Sequence, residues 1–188
     1  MNVLISGGCK NGKSFYAQQT AAKLAAGGPL YYIATMIPRD EEDRARIARH
    51  LEERDGWGFT TIEQGKSIKD LISREDVDLR GSFLLDSVTA VLENEMFPVA
   101  VKEGRAEFLG EDMDAPGRVK EELVAFAKAV RAVGGSAVFV SDGIYGDRCG
   151  YSESTERYRK ALADADRALA ETCEQVIEVT YGITEVWK

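Results

Sequence analysis

Apolar residues fall along the chain in short blocks separated by longer amphipathic stretches. Val3-Leu4-Ile5, Leu30-Tyr31-Tyr32-Ile33-Ala34, Ser82-Phe83-Leu84-Leu85-Asp86 and Ala137-Val138-Phe139-Val140-Ser141 are near-continuous apolar runs, the pattern of strands covered on both faces. Thr60-Thr61-Ile62-Glu63, Val176-Ile177-Glu178-Val179 and Thr184-Glu185-Val186-Trp187 predict further strands, the last two joined by a Tyr181-Gly182 turn. Between them, helix formers dominate Lys13 to about Ala26, Asp40 to Arg54, Val88 to Glu95 and Pro116 to Val133, with a short helix over Ser67 to Ile72. A long helix from about Ser154 to Glu174 is expected to be capped by Ser152 or Ser154. Phe97 to Ala115 holds Pro98, Gly104 and Gly110 without a clean period and reads as a loop or flap. Strands alternating with helices, with no repeat or linker, predict one α/β domain over residues 1–188 with a mostly parallel central sheet.

Composition narrows the chemistry. The 188 residues carry 24 Lys+Arg against 32 Asp+Glu, a net charge of −8. So acidic a surface argues against nucleic acid or an anionic membrane as the main partner, and any phosphate must be held locally. Cys9, Cys149 and Cys173 lie far apart, which supports neither a disulfide framework nor a zinc ribbon and fits a reducing cytoplasm. The apolar start breaks at Gly7, too short for a signal core or a spanning segment, so a soluble cytoplasmic protein is expected. A single histidine, His50, excludes multi-histidine metal sites.

Gly7-Gly8-Cys9-Lys10-Asn11-Gly12-Lys13-Ser14 satisfies G-x-x-x-x-G-K-[ST] directly after a predicted strand and at the start of a predicted helix. Backbone N–H groups of such a loop turn onto phosphate oxygens, the lysine reaches the β- and γ-phosphates, and the Ser14 hydroxyl is placed to ligate Mg²⁺. Asp86, ending a buried strand, suits a carboxylate that orients Mg²⁺ or its water, and equally a cap of the helix that follows. Cys9 sits at a permissive position of the loop, near a helix N-terminus able to lower a thiol pKa.

His50 has Arg46 one turn before it and Arg54 one turn after, with Ile47 and Leu51 on the apolar side. Flanking guanidiniums keep an imidazole neutral and grip phosphate oxygens, which is what attack on phosphorus requires. The same spacing fits an ordinary solvated face, as do Arg157 and Arg159 among Glu153, Glu156 and Lys160.

Taken in order, the phosphate loop, Tyr32-Ile33-Ala34-Thr35, Asp40 to Glu42, Arg46-Ile47-x-x-His50-x-x-x-Arg54, Thr61-x-Glu63 and Leu84-Leu85-Asp86-Ser87-x-Thr89 to Asn94 resemble the bifunctional adenosylcobinamide kinase/adenosylcobinamide-phosphate guanylyltransferase family. The resemblance implies a P-loop NTPase-like, RecA-like α/β fold and a trimer. It implies that His50 attacks the α-phosphorus of GTP and carries GMP as a phosphoramidate, and that a small corrinoid is the substrate. It also implies nucleotide contacts from Gly7 to Ser14, from Ala34, Thr35 and Met36, from Leu51, Glu52, Glu53 and Arg54, and from Glu63 and Asp86, with GTP or ATP feeding the kinase step. The family's Asn-Glu-Val-Gly-x-Gly is here Asp142-Gly143-Ile144-Tyr145-Gly146-Asp147, and its late Gly and Asn-Gln positions hold Ala163, Asp166 and Arg167. These departures leave two alternatives beside the bifunctional enzyme: a P-loop kinase for another alcohol, or a nucleotide-binding regulator without turnover.

Overall fold

In a computed structural model, the chain is described at residues 1–102, 105–146 and 150–188, and within these at every side chain except those of residues 46, 49–51, 53, 101, 102 and 105. The elements run β1 (Asn2–Gly7), α1 (Lys13–Ala25), β2 (Leu30–Ala34), α2 (Glu41–Glu53), β3 (Thr60–Glu63), a 3-10 turn (Ile68–Ser73), β4 (Ser82–Asp86), α3 (Val88–Met96), β5 (Val99–Lys102), β6 (Arg105–Phe108), α4 (Ala115–Ala132), β7 (Ser136–Asp142), α5 (Glu153–Thr172), β8 (Gln175–Thr180) and β9 (Ile183–Val186).

Seven strands form one sheet in the order β3-β2-β4-β7-β1-β8-β9. Every pair in it is parallel except β8–β9, which the Tyr181-Gly182 turn folds back as a hairpin. The period-2 alternation of a strand sends neighbouring residues to opposite faces. On one face Val3, Ile5, Val138 and Val140 pack with Ala17 and Ala21 of α1. On the other, Leu4, Phe83, Leu85 and Phe139 meet Leu92 of α3, Leu123 and Phe126 of α4, and Leu162 and Leu169 of α5. Each such fully buried Leu or Phe contributes roughly 1.5–3 kcal/mol, so the central strands are the most firmly held part of the molecule.

Local signals set the helix ends. The Ser152 hydroxyl accepts from the Thr155 amide and Ser87 does the same for Ala90, so both helices start at side-chain caps. Ser87, rather than Asp86, therefore caps α3.

Two expectations are corrected. The 97–115 stretch is not all loop: β5 and β6 pair antiparallel, with Val99 opposite Phe108, as a two-stranded arm outside the main sheet. Arg159 does not lie on a solvated face. Its side chain is buried, with Nε donating to the Ile144 carbonyl at 3.2 Å and Nη1 paired with Glu156 at 2.9 Å. Arg157 is likewise engaged, gripping Glu111 through Nε and Nη2 at 2.8 and 2.7 Å.

Candidate active site

Because β3, β2, β4, β7 and β1 are mutually parallel, their last residues form one rim: Glu63, Ala34, Asp86, Asp142 and Gly7. The register places Glu63 and Asp86 on either side of Ala34 and pairs Asp142 with Gly7. Ligands of open α/β sheets bind at this carboxyl edge.

The phosphate loop rises from Gly7, at one end of this rim. Gly7 sits at φ 147°, and a Cβ there would lie 2.2 Å from the Val179 carbonyl oxygen, so only glycine lets β1 turn this close to β8. Lys10 and Gly12 both adopt left-handed conformations, at φ 57° and 89°. Gly12 precedes α1 without a capping side chain, leaving the first-turn amides open to an anion. The Gly182 amide donates to the Asn11 carbonyl at 3.2 Å, bracing the loop against the β8–β9 turn.

Lys13, only 6% exposed, donates from Nζ to the Gly8 carbonyl at 2.7 Å and pairs with Asp142 Oδ1 at 2.8 Å. Asp142 is in turn held by its amide, which donates to Thr89 Oγ1 at 3.0 Å. The ammonium is thus fixed at the mouth of the loop by two oxygens that a phosphate could replace.

Two strands away, Asp86 accepts from the Tyr32 hydroxyl at 3.2 Å through Oδ2. Burial, reinforced by the neighbouring Asp86 charge, pushes the Tyr32 phenol well above its ordinary pKa, so it stays a donor. The Thr35 hydroxyl donates to the Asp86 carbonyl at 2.7 Å and accepts from the Ser87 amide at 2.6 Å. Thr35 is fully buried, and its hydroxyl holds the β2 and β4 termini together. Asn94 Nδ2 bridges the carbonyls of Thr35 and Gly65 at 2.8 and 3.0 Å. The set of one hydroxyl, on Ser14, and one carboxylate, on Asp86, fits Mg²⁺, which takes one or two protein ligands and completes its shell with phosphate and water oxygens.

Arg54, just past α2, is 7% exposed and lies over the Tyr32 ring at 3.6 Å, with Nε buried and lacking a hydrogen-bond partner among the described residues. It is a buried cation stacked beside Asp86, not part of a solvated stripe. Glu63 and Glu52 are exposed, while Ala34 and Met36 are half-buried at the rim. The side chains of Arg46, His50, Leu51 and Glu53, and the whole of Asp147 and Cys149, lie outside the described residues. The backbone of His50 is in α2, whose end meets the rim through Arg54.

Inspection of the sequence missed a further group. Asp166 of α5 is 4% exposed and accepts at Oδ2 from Ser141 at 2.8 Å and from the Tyr145 hydroxyl at 3.1 Å. Burial pushes its carboxyl up to about 6; the two hydroxyl hydrogen bonds pull the other way, and the nearby Asp142 charge adds to the rise. The signal was available: Asp166 follows Leu162 by four positions and precedes Leu169 by three, a carboxylate on the apolar stripe of its helix.

A glycine loop between the first strand and helix, a buried lysine at its end, and an acidic strand terminus two strands away define a P-loop nucleotide-binding protein of the RecA-like α/β class. The family model described as CobU, cobinamide kinase / cobinamide phosphate guanyltransferase, matches residues 3–186, and the chain belongs to this family. It is accordingly a nucleotide-dependent transferase of cobalamin biosynthesis.

Among solved structures, the flagellar accessory protein FlaH from Methanocaldococcus jannaschii is similar at 13% identity, with 100% of this chain and 77% of that one covered and a TM-score of 0.53, a likeness of fold alone. The KaiC-like protein PH0186 from Pyrococcus horikoshii OT3 is 16% identical, with 94% of this chain and 69% of that one covered and a TM-score of 0.48. The search of curated proteins returned no match. Among the described residues, no helix is long and apolar enough to cross a membrane.

Proposed function

We propose that the protein phosphorylates the aminopropanol hydroxyl of adenosylcobinamide and then converts the phosphate to a GDP-linked corrinoid through GMP carried on His50. The observation that carries this reading is the family match over residues 3–186, together with an intact phosphate loop whose Lys13 is buried and fixed at its mouth.

In the kinase step the triphosphate lies on the loop amides with Lys13 at its terminal phosphate, where fixed donors stabilise the charge of the transition state. Ser14 and Asp86 would hold Mg²⁺, which would supply positive charge against the developing negative charge of the triphosphate. In the transferase step His50 attacks the α-phosphorus of GTP, pyrophosphate leaves, and the corrinoid phosphate then takes GMP from the histidine. Glu63, Arg54, Leu51, Glu52, Glu53, Ala34, Thr35 and Met36 supply the nucleotide contacts around that histidine. The whole chain acts as one kinase and guanylyltransferase domain, in the cytoplasm, as a homotrimer.

Incubation with α-labelled GTP tests the transferase half. Wild-type protein is expected to take up an acid-labile, alkali-stable label, and His50→Ala to take up none. Folded wild-type protein that never labels, in the presence of Mg²⁺, refutes the covalent step.

A further inference from the structure

A cavity of about 300 Å³ opens beside the phosphate loop, walled by Gly7 and Gly8 on one side, by Gly143, Tyr145 and Gly146 on the other, and by Glu178 from β8. The Gly143 amide donates to the Gly7 carbonyl at 3.1 Å and holds the two walls together. Lys13 Nζ is bonded to one of these walls through the Gly8 carbonyl, and also to the carboxylate of Asp142, the residue before Gly143. A group lodged in this cavity therefore borders the phosphate that Lys13 would grip. Glycine walls present bare backbone, so Ser6, Tyr145 and Glu178 supply the side-chain chemistry that such a group would meet.

The Tyr145 hydroxyl leads away from solvent. It donates at 3.1 Å to Asp166 Oδ2, which also accepts from Ser141, while Asp166 Oδ1 is buried without a hydrogen-bond partner among the described residues. No ion pair to Asp166 is found among the described residues either. A buried carboxylate with one bare oxygen is costly to keep charged and is relieved by taking a proton. Burial and the facing Asp166 charge raise the Tyr145 pKa, so the phenol holds its own proton at rest and donates it toward Asp166.

We infer that Tyr145 is a catalytic residue of the kinase step and Asp166 its positioning partner, a two-member relay that takes the proton from an acceptor alcohol bound in this cavity. The inference rests on the kinase half of the proposed function. As the alcohol oxygen bonds to the γ-phosphorus, its proton passes to the Tyr145 oxygen and the phenol proton passes to Asp166 Oδ2. The bond from the γ-phosphorus to the β–γ bridging oxygen breaks, and the nucleoside diphosphate leaves with that electron pair. Asp166 ends neutral, which its surroundings favour, and the relay runs back to solvent through Tyr145 when product departs. Among the described residues, the other ionisable groups facing the pair are Asp142 of β7, paired with Lys13 of α1, Glu178 of β8, which acts on Tyr145, and Tyr158 of α5.

The test is steady-state phosphorylation of cobinamide by GTP from pH 5 to 9, for wild type, Tyr145→Phe, Asp166→Asn and Glu178→Gln, with cooperative melting as the check on folding. Wild-type kcat is expected to fall on the acid side through about pH 6, as Asp166 takes up its proton beforehand. Tyr145→Phe should lower kcat by about 10²-fold without a matching change in the nucleotide KM. Asp166→Asn should also lower kcat and lose the acid limb, while Glu178→Gln keeps the limb. If Asp166→Asn does not fold, Tyr145→Phe alone decides. A Tyr145→Phe kcat within about threefold of wild type, or an acid limb that persists in Asp166→Asn or vanishes in Glu178→Gln, overturns the relay. Wild-type protein that does not phosphorylate cobinamide at any pH overturns the kinase reading and the relay with it.

Discussion

Lys13 Nζ and Asp142 Oδ1 meet at 2.8 Å across the mouth of the phosphate loop, joining the first turn of α1 to the end of β7. The carboxylate occupies one side of the ammonium that a terminal phosphate would need, and adds a negative charge beside the incoming polyanion. Asp142→Asn is therefore expected to bind GTP about tenfold more tightly, from roughly 1.4 kcal/mol of relieved repulsion and competition. The nucleotide-free protein should melt at a lower temperature, because buried Lys13 loses its counter-charge and keeps only neutral oxygens. Calorimetric titration with GTP checks the first expectation; unchanged or weaker binding would mean that Lys13 does not leave Asp142 for phosphate.

The loop's glycines differ in what they forbid. A methyl at Gly7 meets the Val179 carbonyl, whereas one at Gly12 meets nothing within 4 Å and bears only the strain of φ 89°. Gly7→Ala should cost about 1–3 kcal/mol in urea unfolding through overpacking of β1 against β8. Gly12→Ala should cost about 1 kcal/mol, from its left-handed backbone alone. Equal costs would show that β8 yields freely.

Tyr32 serves two partners at once, a carboxylate through its hydroxyl and a guanidinium through its ring. Tyr32→Phe keeps the ring under Arg54 and removes one hydrogen-bond donor from Asp86 Oδ2, so stability should fall by about 1 kcal/mol while the Mg²⁺ dependence of turnover shifts. Arg54→Ala removes the stacked cation and should cost about 1–2 kcal/mol. Thermal melts and Mg²⁺ titrations of both variants separate the two roles.

Asp166 makes stability depend on pH in a direction opposite to most carboxylates. Its folded pKa of about 6 lies above the ordinary 3.8, so the folded state holds the proton more tightly than the unfolded chain. Its contribution is complete below the ordinary value and is lost as pH rises through about 6. Asp166→Asn, which keeps an oxygen for Ser141 and Tyr145, should stabilise by on the order of 1–3 kcal/mol at pH 8 and by almost nothing near pH 4. Urea unfolding at the two pH values measures this; a destabilised variant at pH 8 would mean that the carboxylate is compensated in the fold.

Much of the framework was legible before any coordinates. Leu30–Ala34 and Ser82–Asp86 are strands with the bounds their apolar runs indicated, because a buried parallel strand has to be apolar throughout; Thr60–Glu63, an exposed edge strand, shows instead through its β-branched residues. The phosphate loop was legible for a similar reason, since its glycines and lysine follow from local backbone conformation and reach. The β5–β6 arm was not: two four-residue strands outside the main sheet, with Phe108 exposed, leave too little period-2 signal to stand out from a loop.

The chain's own order of residues determined a parallel sheet, a phosphate cradle after the first strand, and a single histidine, His50, to which the proposed covalent step is confined. The tertiary structure alone decided which charges meet. Packing α5 against α4, α3 and β1 buried Asp166 against Ser141 and Tyr145, and sheet register put Asp142 on Lys13 and Asp86 beside Tyr32 and Arg54. Local pattern sets which residues are apolar and where the backbone turns. The partner of a side chain 25 or 129 positions away is set only when sheet and helices close around a common core, as for Ser141 with Asp166 and Lys13 with Asp142.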